Sequence, residues 1–193
     1  MALLRWHLRR CGFRTVQFHY PSIRESVRDN AARLQRFVQR LPGEELHFVG
    51  HSLGGLVVRR LYHDFPRQRP GRVVTLGTPH TGSLAAHRLV RTRIGRWLLG
   101  RAGDDGLLGG LPSWEAPCEL GVIAGNLPLG GGWVVGGLPR PHDGTVSVES
   151  TRLPGMTDHL VLHVSHMGLL VSPDVARHTC CFLRRGRFNC ATT

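Results

Sequence analysis

Apolar and polar positions follow two rhythms along this chain, and the rhythm changes at proline and glycine. Arg14-Thr-Val-Gln-Phe-His-Tyr20 alternates as a strand and stops at Pro21. Ile23, Val27, Ala31, Leu34, Phe37/Val38 and Leu41 then recur at helical spacing. Ser22, with Glu25 three residues on, opens that helix as a capping box, and Pro42-Gly43 closes it. Glu45 to Val49 is a short strand, Gly50 to Gly55 a tight turn, and Leu56 to Phe65 a helix stopped by Pro66. Arg72 to Leu76 is a strand, followed by the loop Gly77 to Ser83 and a helix from about Leu84. Residues 91–117, rich in Gly, Arg and Leu with Trp97 and Trp114, read as a loop or a mobile helical insertion. Leu120 to Ala124 is the next strand, and 125–142 a Gly/Pro-rich loop around a short Trp133-Val-Val135 strand. His159 to Val164 is the last strand. Ser172-Pro173 opens a closing helix to about Leu183, with serine as cap and proline at the first helical position.

Strands that alternate with helices predict an α/β fold in three layers, with a mostly parallel central sheet covered on both faces. The 193 residues, 41% of them hydrophobic, suffice for one core, so a single domain over 1–193 is expected. No run approaches the roughly 20 apolar residues that span a bilayer. Cys11, Cys118, Cys180, Cys181 and Cys190 are odd in number and lack metal-like spacing. No disulfide scaffold is expected from them, and free cysteines without a visible signal segment favour the cytoplasm.

Charge adds one distinctive feature. Formal net charge is +12, and all 25 basic residues are arginine. Such a balance attracts nucleic acid or anionic lipid non-specifically. The arginines are scattered, however, and no block of five or six like charges or aromatic-interleaved motif appears. Specific nucleic-acid binding is therefore not expected; peripheral contact with an anionic membrane is the charge's other reading.

The chemistry concentrates at Gly50-His51-Ser52-Leu53-Gly54, a G-x-S-x-G pattern between a strand and a helix. Given 25 glycines in the chain, chance supplies about 0.15 such matches, so the strand–turn–helix context decides the reading. Glycines two residues either side let the backbone turn sharply and expose the serine hydroxyl. A serine needs a base and the base an orienting acid, in the order serine, acid, histidine. Asp143, in the loop before the last strand, is the leading acid, with Glu149 as runner-up. His166, in the loop after that strand, is the leading base, with His163 as the alternative. Leu53 N–H, directly after the nucleophile, is one oxyanion donor. Asp158, His159, His163 and His166 lack established metal-ligand spacing, so no metal or other cofactor is expected.

Phe48-Val-Gly-His-Ser-Leu-Gly-Gly55, Leu76-Gly-Thr-Pro-His-Thr-Gly-Ser83, Asp143-Gly-Thr-Val146 and Ser165-His-Met167 together resemble the α/β-hydrolase superfamily. The resemblance is to small bacterial lipase/esterase-like proteins, related to triacylglycerol lipases and to GPI inositol-deacylase-like hydrolases, and it runs from about residue 12 to the C-terminus. It implies a nucleophile at Ser52, an acid at Asp143, a base at His166 and a role in lipid metabolism. It also suggests that Thr78, Pro79 and His80 line the site, against an equally weighted reading of them as a structural loop. Such proteins begin with a hydrophobic strand and a His-Gly loop that supplies the second oxyanion donor. Here Met1 to Arg10 looks like the helix that would follow that loop, so the fold is expected to be truncated at its N-terminus. The implied activity is cleavage of small-molecule or lipid carboxylic esters, with 91–117 as a lid. The alternative is a catalytically silent binding module of the same fold.

Overall fold

Val73–Leu76 and Leu120–Gly125 are buried at every position, the signature of strands covered on both faces. The computed structural model describes residues 1–21, 25–82, 113–129 and 138–189. Phe48–His51 (β1), Val73–Leu76 (β2), Leu120–Gly125 (β3) and Asp158–Leu162 (β4) form one parallel sheet in the order β1-β2-β3-β4. Gly50 pairs with Thr75 and Val122 with His159 in this register, so the carboxyl ends of the strands line up along one edge. The mainly parallel α/β architecture expected from the alternation is the one observed.

Helices cover both faces. Val27–Val38 (α2) and Leu53–Asp64 (α3) pack Ala31, Leu34, Leu56, Val57 and Leu61 against Phe48, Val73, Leu120 and Val122. Ala2–Arg10 (α1) and Pro173–Arg185 (α4) pack Leu4, Leu8, Val175 and Phe182 against Val74, Leu76 and Ile123. Successive strand residues thus serve opposite cores, as the pleat requires. In α4 the Ser172 hydroxyl accepts a hydrogen bond from Val175 N–H, and Pro173 begins the helix, as its sequence predicts.

Several expectations are corrected. Residues 14–20 form no strand. Their side chains are instead tied to α1, where Arg9 Nε donates to Thr15 Oγ1 (2.8 Å) and Arg5 Nη1 to Gln17 Oε1 (3.0 Å). A cavity of about 790 Å³, walled by Phe18, Phe37, Phe48 and Val57 among others, separates this segment from β1. Among the described residues β1 pairs only with β2, and its other edge lies across this cavity from 14–20. Helix α2 is capped by Ser26, whose Oγ accepts from Asp29 N–H (3.0 Å); Glu25 instead pairs with Arg33. The Ser-x-x-Asp pattern at 26–29 outcompetes the one beginning at Ser22, which lies outside the described residues. Helix α3 starts at Leu53, a turn earlier than its apolar pattern predicts.

Of the 91–117 segment, 91–112 lie outside the described residues, as do the helix from Leu84 and the 133–135 strand. Trp114 belongs to the core: it is buried, packs on Tyr62 and donates from Nε1 to Cys118 O (3.1 Å). No helix among the described residues is long and apolar enough to cross a membrane. The cysteine expectation is also corrected. Cys11 is bonded to Cys180, Cys181 is likewise disulfide-bonded, and Cys118 is a free thiol. A cytoplasmic location therefore loses its support from free thiols, since disulfides persist in oxidising compartments.

The Cys11–Cys180 bond joins α1 to α4 across a separation of 169 residues. Its removal in Cys11→Ser is expected to lower the unfolding free energy by about 2–5 kcal/mol, read by guanidinium denaturation under non-reducing conditions. Unchanged stability would show that α1 does not depend on this bond.

Candidate active site

Ser52 stands at the carboxyl end of β1 with φ 53° and ψ −124°, the only non-glycine with positive φ among the described residues. This conformation costs on the order of 1–3 kcal/mol and persists only where its surroundings over-determine it. Three hydrogen bonds do so. Ser52 N–H donates to Leu76 O (2.9 Å), Gly55 N–H donates to Ser52 O (3.1 Å), and Thr78 Oγ1 donates to the same carbonyl (2.9 Å). The chain then enters α3 so abruptly that a Cβ on Gly50 would stand 2.7 Å from Gly55 Cα. Glycine at position 50 is thus a packing requirement. Gly54 faces Tyr20, whose Oη would lie 3.5 Å from a Cβ placed there. Leu53, the first residue of α3, has its N–H among those that a helix start leaves without an intrahelical partner.

Asp143 and His166 meet on the other side. The loop Asp143-Gly-Thr-Val146 folds back so that Oδ1 accepts from Thr145 N–H (2.9 Å) and Val146 N–H (2.7 Å). The other oxygen, Oδ2, accepts from His166 Nδ1–H at 2.7 Å, and His166 N–H donates to Asp143 O (2.9 Å). Asp143 is 1% and His166 8% exposed, so this hydrogen bond is shielded from water. With Nδ1 committed to the carboxylate, Nε2 is the ring nitrogen left to exchange a proton. Gly77, at φ 55°, makes the pair possible: a Cβ there would lie 3.1 Å from both Asp143 Oδ2 and His166 Nδ1, and 2.7 Å from Leu169 Cδ1.

The alternatives lie elsewhere. Glu149 is exposed and paired with Arg152, and His163 is held by Asn126 Oδ1 (3.0 Å) on the surface. His159 bonds Thr151, and Asp158 accepts from His159 N–H and Phe188 N–H, so these residues do not converge with His166 on one point. Thr78 touches the Ser52 carbonyl, whereas His80 turns into the core. Its Nε2 meets Thr75 Oγ1 (3.1 Å), its carbonyl accepts from Arg59 Nη1 (2.6 Å), and burial, aided by the Arg59 charge, pushes its pKa down to about 3. Gly77 was not legible as a site residue, because the sequence does not reveal which backbone a distant pair must pass.

His51 completes the geometry. Its Nε2 bonds His166 O at 3.0 Å, and the two rings lie 4.6 Å apart between centroids. Its pKa is lowered to about 4, first by burial and then by the His166 charge; the bond to His166 O and the Asp143 charge oppose this, and the Met1 amino group adds slightly to it.

The α/β hydrolase fold family model matches residues 12–121. The chain belongs to the α/β hydrolase fold family. No curated protein matches it. Among solved structures, a Bacillus licheniformis lipase in its mature form superposes with TM-score 0.63 at 24% identity, covering 86% of this chain and 75% of that one. A Legionella pneumophila phospholipase in complex with thio-NAD gives TM-score 0.62 at 17% identity, with 86% and 46% covered. A lipase-esterase related protein from Clostridium acetobutylicum gives 0.53 at 11% identity, with 94% and 87% covered. At these identities the likeness establishes the shared fold.

Two predictions follow from the geometry. Gly77→Ala drives a methyl group between Asp143 and His166 and is expected to slow any reaction at Ser52 by about 10- to 100-fold, read as the rate of modification by a serine-directed probe. An unchanged rate would mean that the pair is not needed. Second, His51 and His80 are held neutral in the folded protein but protonate near 6.5 when unfolded, so the unfolded state binds more protons below that pH. Stability is therefore full above pH 6.5 and falls toward pH 4 by about 1.4 kcal/mol per unit for each such histidine. Urea denaturation at stepped pH reads this slope, and His51→Gln should flatten it.

Proposed function

We propose that the chain is a serine hydrolase of carboxylic esters, of lipase/esterase type, acting through an acyl-enzyme. The observation that carries this reading is the buried 2.7 Å Asp143–His166 bond beside a strained Ser52 that opens a helix. In the proposed reaction Ser52 Oγ attacks the ester carbonyl carbon while His166 Nε2 takes the hydroxyl proton. Asp143 holds the resulting imidazolium in place and stabilises its charge. The Leu53 N–H receives the developing oxyanion. As the tetrahedral adduct collapses, the C–O bond to the alcohol breaks and His166 returns its proton to the departing oxygen. Water, deprotonated by His166, then cleaves the acyl-enzyme and regenerates Ser52. Lipid esters are the substrate class supported by the fold neighbours, two of which are described as a lipase and a phospholipase. Contact with an anionic membrane fits the same reading: Leu3 and Trp6 are exposed on α1, with Arg10 stacked over Trp6 and Arg9 exposed nearby.

One observation favours the silent module instead. Among the described residues β1 pairs only with β2 and a cavity borders its other side, whereas proteins of the resembled kind take a second oxyanion donor from a loop after an earlier strand. Loss of one such donor costs about 10²–10³ in rate. Intact-mass analysis after treatment with a fluorophosphonate separates the two. The hydrolase reading expects one adduct per chain, absent from Ser52→Ala and His166→Ala. A folded protein that takes up no probe contradicts it and leaves the binding module.

A further inference from the structure

We infer that His51 is a positioning residue for His166, fixing the imidazole from the nucleophile's own strand. The inference rests on the Ser52–His166–Asp143 reading and adds a fourth member to it.

A backbone carbonyl only accepts, so His51 Nε2 must carry the hydrogen in its 3.0 Å bond to His166 O, and Nδ1 is the bare nitrogen. His166 lies in a loop whose next residue, Met167, is 66% exposed. Asp143 holds that loop from one side, through His166 Nδ1 and His166 N–H. His51 holds it from the other side, through the carbonyl and the ring face, the rings tilted 43° to each other. Because His51 is the last residue of β1 and Ser52 follows it, this contact ties base and nucleophile to one rigid element. An imidazole set by Asp143 alone is free to swing about that carboxylate; with the carbonyl also held, the position of Nε2 relative to the elbow is determined. The neighbour must also be uncharged, because His166 becomes cationic each time it takes the Ser52 proton. Arginine, abundant elsewhere in this chain, would supply a donor at the cost of like-charge repulsion.

Three substitutions separate the elements of this contact. His51→Gln keeps an uncharged N–H donor, His51→Phe keeps a ring without a donor, and His51→Ala removes both. The first readout needs no substrate: the strongly downfield proton resonance of the His166 Nδ1–H bond to Asp143 in the resting protein. The second is the rate of fluorophosphonate modification, with kcat and KM on a p-nitrophenyl ester. The expected result is a retained resonance and rates within about threefold for Gln, and a broadened or shifted resonance with about 10- to 100-fold lower kcat at similar KM for Phe and Ala. A Phe variant that matches the parent in both readouts overturns the inference, as does a Gln variant as impaired as Ala. Should Ala fail to fold, the nearly isosteric Gln and Phe pair decides alone. Should the parent prove unreactive, a resonance that still follows the donor overturns the hydrolase reading and keeps the positioning role, whereas one indifferent to position 51 overturns the positioning role.

Discussion

A backbone held at positive φ on Ser52 is the constraint from which the rest of the site follows. The conformation is unfavourable by on the order of 1–3 kcal/mol, and it is imposed from three directions. The β1–β2 ladder continues through Ser52 N–H to Leu76 O, the first turn of α3 folds back onto Ser52 O, and Thr78 braces that same carbonyl. The glycines around it are consequences of this turn. Gly50 allows the helix to approach the strand, and Gly55 lies so close to Thr78 that any side chain at 55 would displace the brace. Sheet and helix burial supply the stability that this local strain consumes.

The second half of the site depends on the first for its position and on its own loop for its chemistry. The Asp143 carboxylate accepts three hydrogen bonds, two from its own loop and one from the His166 ring, so it is oriented before any substrate arrives. Gly77 leaves the space in which carboxylate and imidazole meet, directly after β2, the strand that also anchors Ser52. One parallel sheet thus presents Ser52, the gap at Gly77 and His166 along its carboxyl edge, where ligands of open α/β sheets bind.

Much of this was legible in the sequence, for identifiable reasons. The elbow pattern carries its own strand–turn–helix context, and the loops before and after the last strand hold Asp143 and His166, which the structure brings into contact. Ser172-Pro173 dictated the start of α4 because cap and proline act locally. Where the reading went astray, distant partners decided. Residues 14–20 alternate as a strand should, yet a strand exists only with a neighbour, and the edge of β1 lies across a cavity. Helix α2 was expected to open at Ser22, but the cap is Ser26, whose hydroxyl takes Asp29 N–H while Glu25 turns to Arg33. Cys11 and Cys180 are far apart in the chain, so their pairing depends on the docking of α1 against α4.

The central claim is that one backbone turn, one gap and one buried Asp143–His166 hydrogen bond bring Ser52, His166 and Asp143 together as a reacting unit. A crystal structure of the protein after treatment with an organophosphonate ester tests this most directly. The account predicts phosphorus bonded to Ser52 Oγ, its oxygen facing the Leu53 N–H, His166 Nε2 within hydrogen-bond reach of the adduct, and Asp143 Oδ2 still on Nδ1. Density on another residue, or a modified Ser52 with His166 turned away from it, would contradict the account.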